Sequence, residues 1–181
     1  MSKACLLNPP ARAVLACWAA VLGLAGFAAP RPAAAASSSV LIGRPAPNFV
    51  LKGIDGNNRR LSEYRGRVVL ILFYARWAGD SRLEIPALER LDTTYRRAGL
   101  VVLAVSVDSN LRRAADFAKA MRVSYPILLD AGTRIGRAYA LDRLPMTVLL
   151  GRAGIVRYLK SGYERGDQRA FATEIRKLLR E

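Results

Sequence analysis

Val68-Val69-Leu70-Ile71-Leu72-Phe73-Tyr74 is the run that decides the fold. It is rich in strand formers, too short for most helices, and lacks the polar alternation of a half-exposed strand, so it reads as a central strand covered on both faces. Toward the C-terminus, Ser81 to Arg97 reads as an amphipathic helix with Leu88, Leu91 and Tyr95 along one face and Gly99 as its stop. Leu100 to Val107 reads as a second buried strand. Asp108-Ser109-Asn110 offers caps for a helix in which Ala114, Phe117, Ala118 and Met121 share a face. Ile127 to Leu129 suggests a short strand, Thr133 to Tyr139 a short helix and Met146 to Leu150 another strand. Ala153-Gly154 makes a hairpin turn into Ile155 to Leu159, and Phe171, Ile175, Leu178 and Leu179 mark a closing helix. Upstream, Asn48 to Leu51 suggests a strand that runs into the turn Ile54-Asp55-Gly56-Asn57-Asn58. Strand and helix alternate first, and a hairpin and helix close the chain. That order argues for an α/β fold: a central mixed β-sheet flanked by helices on both faces, with a partly antiparallel edge.

The 181 residues fit one domain with a proper core, and an apolar share of 52% lies far from the composition of a disordered chain. The formal net charge is +15, with Arg outnumbering Lys 24 to 5. The basic residues are spread in pairs such as Arg59-Arg60, Arg96-Arg97 and Arg112-Arg113, which argues against a nucleic-acid reader with a concentrated basic stripe. A solvated basic surface is one reading of this charge, and an anionic partner such as lipid head groups or an acidic protein is the other. Histidine is absent, which removes the commonest general base, the Ser-His and Cys-His nucleophile pairs and most zinc sites. No metal or other cofactor is expected.

Residues 1–36 read as an export leader: Lys3 and Arg12 without an acid, the uncharged run Ala13 to Ala29, then Pro30-Arg31-Pro32 and small residues. An A-x-A site at Ala34-Ala35-Ala36 would place cleavage before Ser37. Retention of residues 13–29 as an anchor and lipid attachment at Cys17 are the alternatives. Each puts the domain outside the cytoplasm, in the periplasm or beyond. Residues 37–47 read as a Ser, Gly and Pro rich linker and 48–181 as the domain. Both cysteines, Cys5 and Cys17, lie in the leader, so the domain forms no disulfide and its core must suffice.

Several stretches in order resemble the periplasmic TlpA/ResA-type thiol-disulfide oxidoreductases of the thioredoxin superfamily, in the AhpC/TSA redoxin neighbourhood. They are Pro45-Ala46-Pro47-Asn48-Phe49, Leu61-Ser62-Glu63-Tyr64-Arg65-Gly66, Phe73 to Trp77 with Ser81-Arg82-Leu83-Glu84-Ile85-Pro86, Val105-Ser106-Val107-Asp108, Leu144-Pro145-Met146-Thr147 and Gly151-Arg152-Ala153-Gly154. The resemblance implies a thioredoxin-like fold with an N-terminal β extension. Its family pattern, Trp-Cys-x-x-Cys-Arg-x-Glu-x-Pro, opens a helix whose N-terminal field lowers a thiol pKa. Here Trp77, Arg82, Glu84 and Pro86 match, while Ala78 and Ser81 stand at the two cysteine positions. Peroxiredoxins, a neighbouring branch, place their peroxidatic cysteine near Ser81, so the same substitution bears on peroxidase chemistry. Alanine cannot attack a disulfide, and no histidine is present to activate Ser81.

No catalytic residue is therefore expected in the degenerate site Trp77, Ala78, Gly79, Asp80 and Ser81. Asp80 and Ser81 are expected to cap the helix; an anion held by its first N–H groups beside Arg76 and Arg82 is the alternative. Glu84 is expected as a first-turn carboxylate complementing the helix dipole. Trp77 suits either an exposed contact residue or a core position. Pro145 resembles the proline that follows a cis bond beside the family's active site, where its neighbour Leu144 could pair with an extended peptide. Trp77, Leu144 and Pro145 thus form the expected groove. The leading functional expectation is a redox-inactive accessory domain that binds a peptide or envelope protein. Family-type oxidoreductase or antioxidant activity is the first alternative, and binding to an anionic membrane surface is the second.

Overall fold

The computed structural model describes residues 38–181. The expected leader, its cleavage site, the anchor run, Cys5 and Cys17 lie outside the described residues. Among those described, no helix is long and apolar enough to cross a membrane.

The strands are β1 (Val50–Gly53), β2 (Asn58–Arg60), β3 (Val68–Tyr74), β4 (Leu100–Ser106), β5 (Ile127–Leu129), β6 (Met146–Leu150) and β7 (Val156–Ser161). The helices are α1 (Ser81–Tyr95), α2 (Leu111–Met121), α3 (Arg134–Ala138) and α4 (Asp167–Arg180). All seven strands form one sheet in the order β2-β1-β5-β4-β3-β6-β7. β3, β4 and β5 run parallel, and the remaining pairs are antiparallel. Every residue of β3 and β4 is buried, as their unbroken apolar runs require.

Side-chain alternation divides the core in two. Leu70, Leu72, Tyr74 and Val102 face Ile85 and Leu88 of α1, Phe117 of α2, and Phe171 and Ile175 of α4. Ile71, Phe73, Leu103 and Val105 face Phe49, Leu61, and Ile135 and Tyr139 of α3 and its flank. Helices therefore cover both faces, three on one and the short α3 on the other. Full burial of such a side chain contributes about 1.5–3 kcal/mol relative to exposure, so this two-sided core supplies what disulfides supply elsewhere.

Element ends follow local chemistry. After α1 a 3-10 turn, Arg96–Ala98, tightens the chain, and Gly99 at φ 110 takes the left-handed conformation that stops it. Asn110 caps α2 by accepting the Arg113 N–H at 3.0 Å. Strand β2 has no counterpart in the sequence pattern: Asn58-Arg59-Arg60 carries no apolar signal and holds its place by pairing with β1. The linker reading of residues 37–47 needs correction. Ser38–Leu41 forms a 3-10 turn, and Pro45 bridges Ile155. Gly43 N–H donates to the Val156 carbonyl at 2.8 Å and Ala46 N–H to Gly154 at 3.0 Å. Backbone pairing with an open sheet edge ties this polar stretch to the domain.

Candidate functional site

β3 lies inside the sheet between β4 and β6, and the chain leaves its C-terminal end after Tyr74. There Ala75 to Asp80 turn sharply into α1, and Asp108, just beyond β4, fixes the turn. Its Oδ2 accepts the Arg76 backbone N–H and the Ser106 hydroxyl, both at 3.0 Å, while Arg76 Nε lies 3.8 Å from Oδ1. Asp108 is 4% exposed, so this clamp works out of water. Its sequence context allowed a helix cap, but Asn110 performs that task. What marked Asp108 was its position directly after a fully buried parallel strand.

The five positions expected to form a degenerate site are not equivalent. Trp77 is 67% exposed, which decides between its two readings. Ala78 is half-buried, Gly79 exposed and Asp80 half-buried, while Ser81 is fully buried. The inner position is thus shielded from solvent, with the Ser81 hydroxyl inside the domain.

The capping expectation fails. Asp80 has helical backbone angles and makes no side-chain cap, and Ser81 Oγ has no hydrogen-bond partner. The cause is that the turn already coils before α1 begins: the N–H groups of Ser81, Arg82 and Leu83 donate to the carbonyls of Ala78, Gly79 and Asp80 at 3.0–3.1 Å. With these donors satisfied by the backbone, Asp80 and Ser81 have no N–H group to cap.

Glu84 also departs from expectation. It lies in the first turn of α1 as expected, but it is fully buried on the inner face of the helix, where the Thr147 hydroxyl of β6 donates to Oε1 and Oε2 is unpartnered. Burial pushes its pKa up to about 8, against the lowering effect of the Thr147 hydrogen bond. It is therefore neutral near pH 7 and does not complement the dipole. Four buried polar atoms lack a hydrogen-bond partner among the described residues: the Tyr74 hydroxyl, Arg76 Nε, Ser81 Oγ and Glu84 Oε2. All belong to the end of β3, the turn, or the first turn of α1. Arg82 projects outward with its guanidinium 4.9 Å over the Phe117 ring, and Pro86 is exposed inside α1.

Of the expected groove, Trp77 and Leu144 line one surface cavity of about 430 Å³ together with Leu141, Asp142 and Arg143. The Leu144–Pro145 bond is cis. Pro145 is buried beside the cavity and accepts the Gly162 N–H at 2.7 Å, whereas the Leu144 backbone groups have no partner among the described residues.

A helix opening at the end of a central parallel strand, facing a cis-proline at the start of the adjacent antiparallel strand, defines a thioredoxin-superfamily domain of the TlpA/ResA type. Residues 42–159 match the AhpC/TSA family, and the chain belongs to that family. It is 32% identical over 125 residues to the thiol-disulfide oxidoreductase ResA of Geobacillus kaustophilus, covering 69% of this chain and 72% of that protein. The ResA of Bacillus subtilis is 30% identical over 122 residues, covering 67% and 68%. Among solved structures, a DsbE-type thiol:disulfide interchange protein of Chlorobium tepidum superposes with a TM-score of 0.74 at 28% identity, covering 76% of this chain and 97% of that one.

Proposed function

We propose that this protein is an exported TlpA/ResA-type domain that does not exchange disulfides itself and instead holds an extended peptide or envelope protein in the groove beside Trp77, Leu144 and Pro145. One observation carries the reading: Ala78 and Ser81 stand where a dithiol would have to be, and no cysteine follows Cys17. Without a thiolate there is no attacking atom for a mixed disulfide, and the buried Ser81 hydroxyl offers no substitute. The groove does not depend on sulfur. The free backbone groups of Leu144 suit strand addition, in which main-chain hydrogen bonds give affinity and side-chain pockets give selectivity. Export rests on the charged, apolar and small-residue order of residues 1–36.

The test is a disulfide-reduction assay on the chain with Cys5→Ala and Cys17→Ala, so that leader thiols contribute nothing, and on the same chain with Ala78→Cys and Ser81→Cys added. The first should be inactive and the second active. Turnover by the cysteine-free chain would sink the proposal.

A further inference from the structure

We propose that the groove beside Trp77 selects an acidic extended segment, in which carboxylates alternate with apolar side chains. This deepens the peptide-binding reading and rests on it.

The argument begins with the strand register. Tyr74 lies opposite Ser106 in parallel β3 and β4, and Phe73 opposite Met146 in antiparallel β3 and β6. The turn before α1, the start of α2 and residues 141–145 therefore gather at one end of the sheet. Three large apolar side chains are exposed at that end: Trp77, Leu83 and Leu111, at 67%, 44% and 46%. Arg82, Arg112, Arg113 and Arg143 are exposed among them, and none forms an ion pair among the described residues. Elsewhere some arginines are matched, as in Arg59–Asp55, Arg96–Asp92 and Arg157–Glu181, and others, such as the exposed Arg97 and Arg169, form no ion pair among the described residues.

Three carboxylates at this end are engaged. Asp108 clamps the turn, Asp130 accepts the N–H groups of Ile135 and Gly136, and Asp142 accepts the Ser161 hydroxyl. Asp80, which is half-buried, and the exposed Asp116 and Glu164 form no side-chain hydrogen bond or ion pair among the described residues. The cavity itself is lined by Trp77, Leu141 and Leu144 with Asp142 and Arg143, and Arg82, Arg112 and Arg113 add exposed positive charge at the same end of the sheet, Arg82 held over Phe117. Apolar anchors inside a charged rim of one sign select a partner of the opposite sign. The concave cavity and the open Leu144 backbone favour an extended chain over a flat anionic surface.

Trp77 is the only tryptophan after Trp18, so its emission reports on the groove, with Trp77→Phe supplying the background. The full chain would be titrated with three synthetic peptides of alternating Leu and Phe, the intervening positions being all Glu, all Gln or all Lys. The Glu peptide should bind about tenfold more tightly than the Gln peptide at low salt, and the preference should shrink as salt is added. Arg82→Glu with Arg143→Glu should turn the preference toward the Lys peptide; circular dichroism confirms folding, and each single substitution should act in the same direction. Equal binding of the Glu and Gln peptides overturns the acidic selection and leaves the groove reading standing. Failure of all three to bind overturns both. Binding to anionic lipid vesicles without binding to the Glu peptide overturns the peptide as occupant.

Discussion

Helix α1 runs between two polar clusters that are built differently. Beyond its C-terminal half, Glu89, Asp92 and Arg96 meet Ser124 across the chain. The Ser124 N–H and hydroxyl donate to the two Glu89 oxygens at 2.8 and 2.6 Å, Arg96 Nε donates to Asp92 Oδ2 at 2.9 Å, and Arg96 Nη2 contacts both Asp92 and Ser124. At its N-terminal end, the Tyr74 hydroxyl, Arg76 Nε, Ser81 Oγ and Glu84 Oε2 are buried without a hydrogen-bond partner among the described residues. A buried polar atom without a partner costs about 1–3 kcal/mol, and folded proteins keep few of them. Here they are collected at one place. The well-matched end is organised for stability, whereas the end where the family pattern places its cysteines leaves buried polar atoms unmatched.

The contrast can be tested from its largest expected effect downward. Glu84 keeps its proton up to about pH 8 when folded, whereas its ordinary value is 4.5. The folded chain therefore binds more protons between those values. Its stability is fully present below the lower one and falls as pH rises through the higher one, by at most about 1.4 kcal/mol per pH unit. Glu84→Gln should remove that slope in urea denaturation at a series of pH values; an unchanged slope would mean that another group carries it.

A smaller loss, about 1–2 kcal/mol, is expected for Asp92→Ala, because Arg96 loses a buried acceptor while remaining half in water. The smallest test compares two serines. Ser124→Ala should cost about 0.5–1.5 kcal/mol, since it removes a hydroxyl with several partners, whereas Ser81→Ala should be neutral or stabilise by up to about 1 kcal/mol. If Ser81→Ala proves the costlier of the two, the two ends do not differ as described.

The same contrast accounts for what could be read in advance. Buried strands β3, β4 and β6 were legible because an unbroken apolar run too short for a helix fits a doubly covered strand and little else, and the Asn110 cap was legible because capping is local. The family motif placed Trp77, Ala78 and Ser81 around a helix start, but the sequence could not show which of them water reaches. Glu84 looked like an ordinary first-turn acid, because the Thr147 that receives it lies 63 residues away on another strand. Ser81 looked like a cap because Ser at a helix start usually is one; only the early coiling of Ala78 to Asp80 leaves it no donor to serve. Strand β2 and the docking of residues 43–46 depend on backbone pairing, which leaves little mark on side-chain pattern.

That docking bears on how the margins of the sheet are protected. An uncovered outermost strand is a template for pairing with a neighbouring chain, and β7 is the outermost strand on its side. Residues 43–46 occupy the beginning of that edge through Gly43, Arg44 and Ala46, and further along Arg157 and Lys160 place charge on it. At the opposite margin, β2 is only three residues long and carries Arg59 and Arg60. The segment that reads as a spacer therefore acts as a guard, and a chain trimmed back to residue 48 would expose the edge it covers.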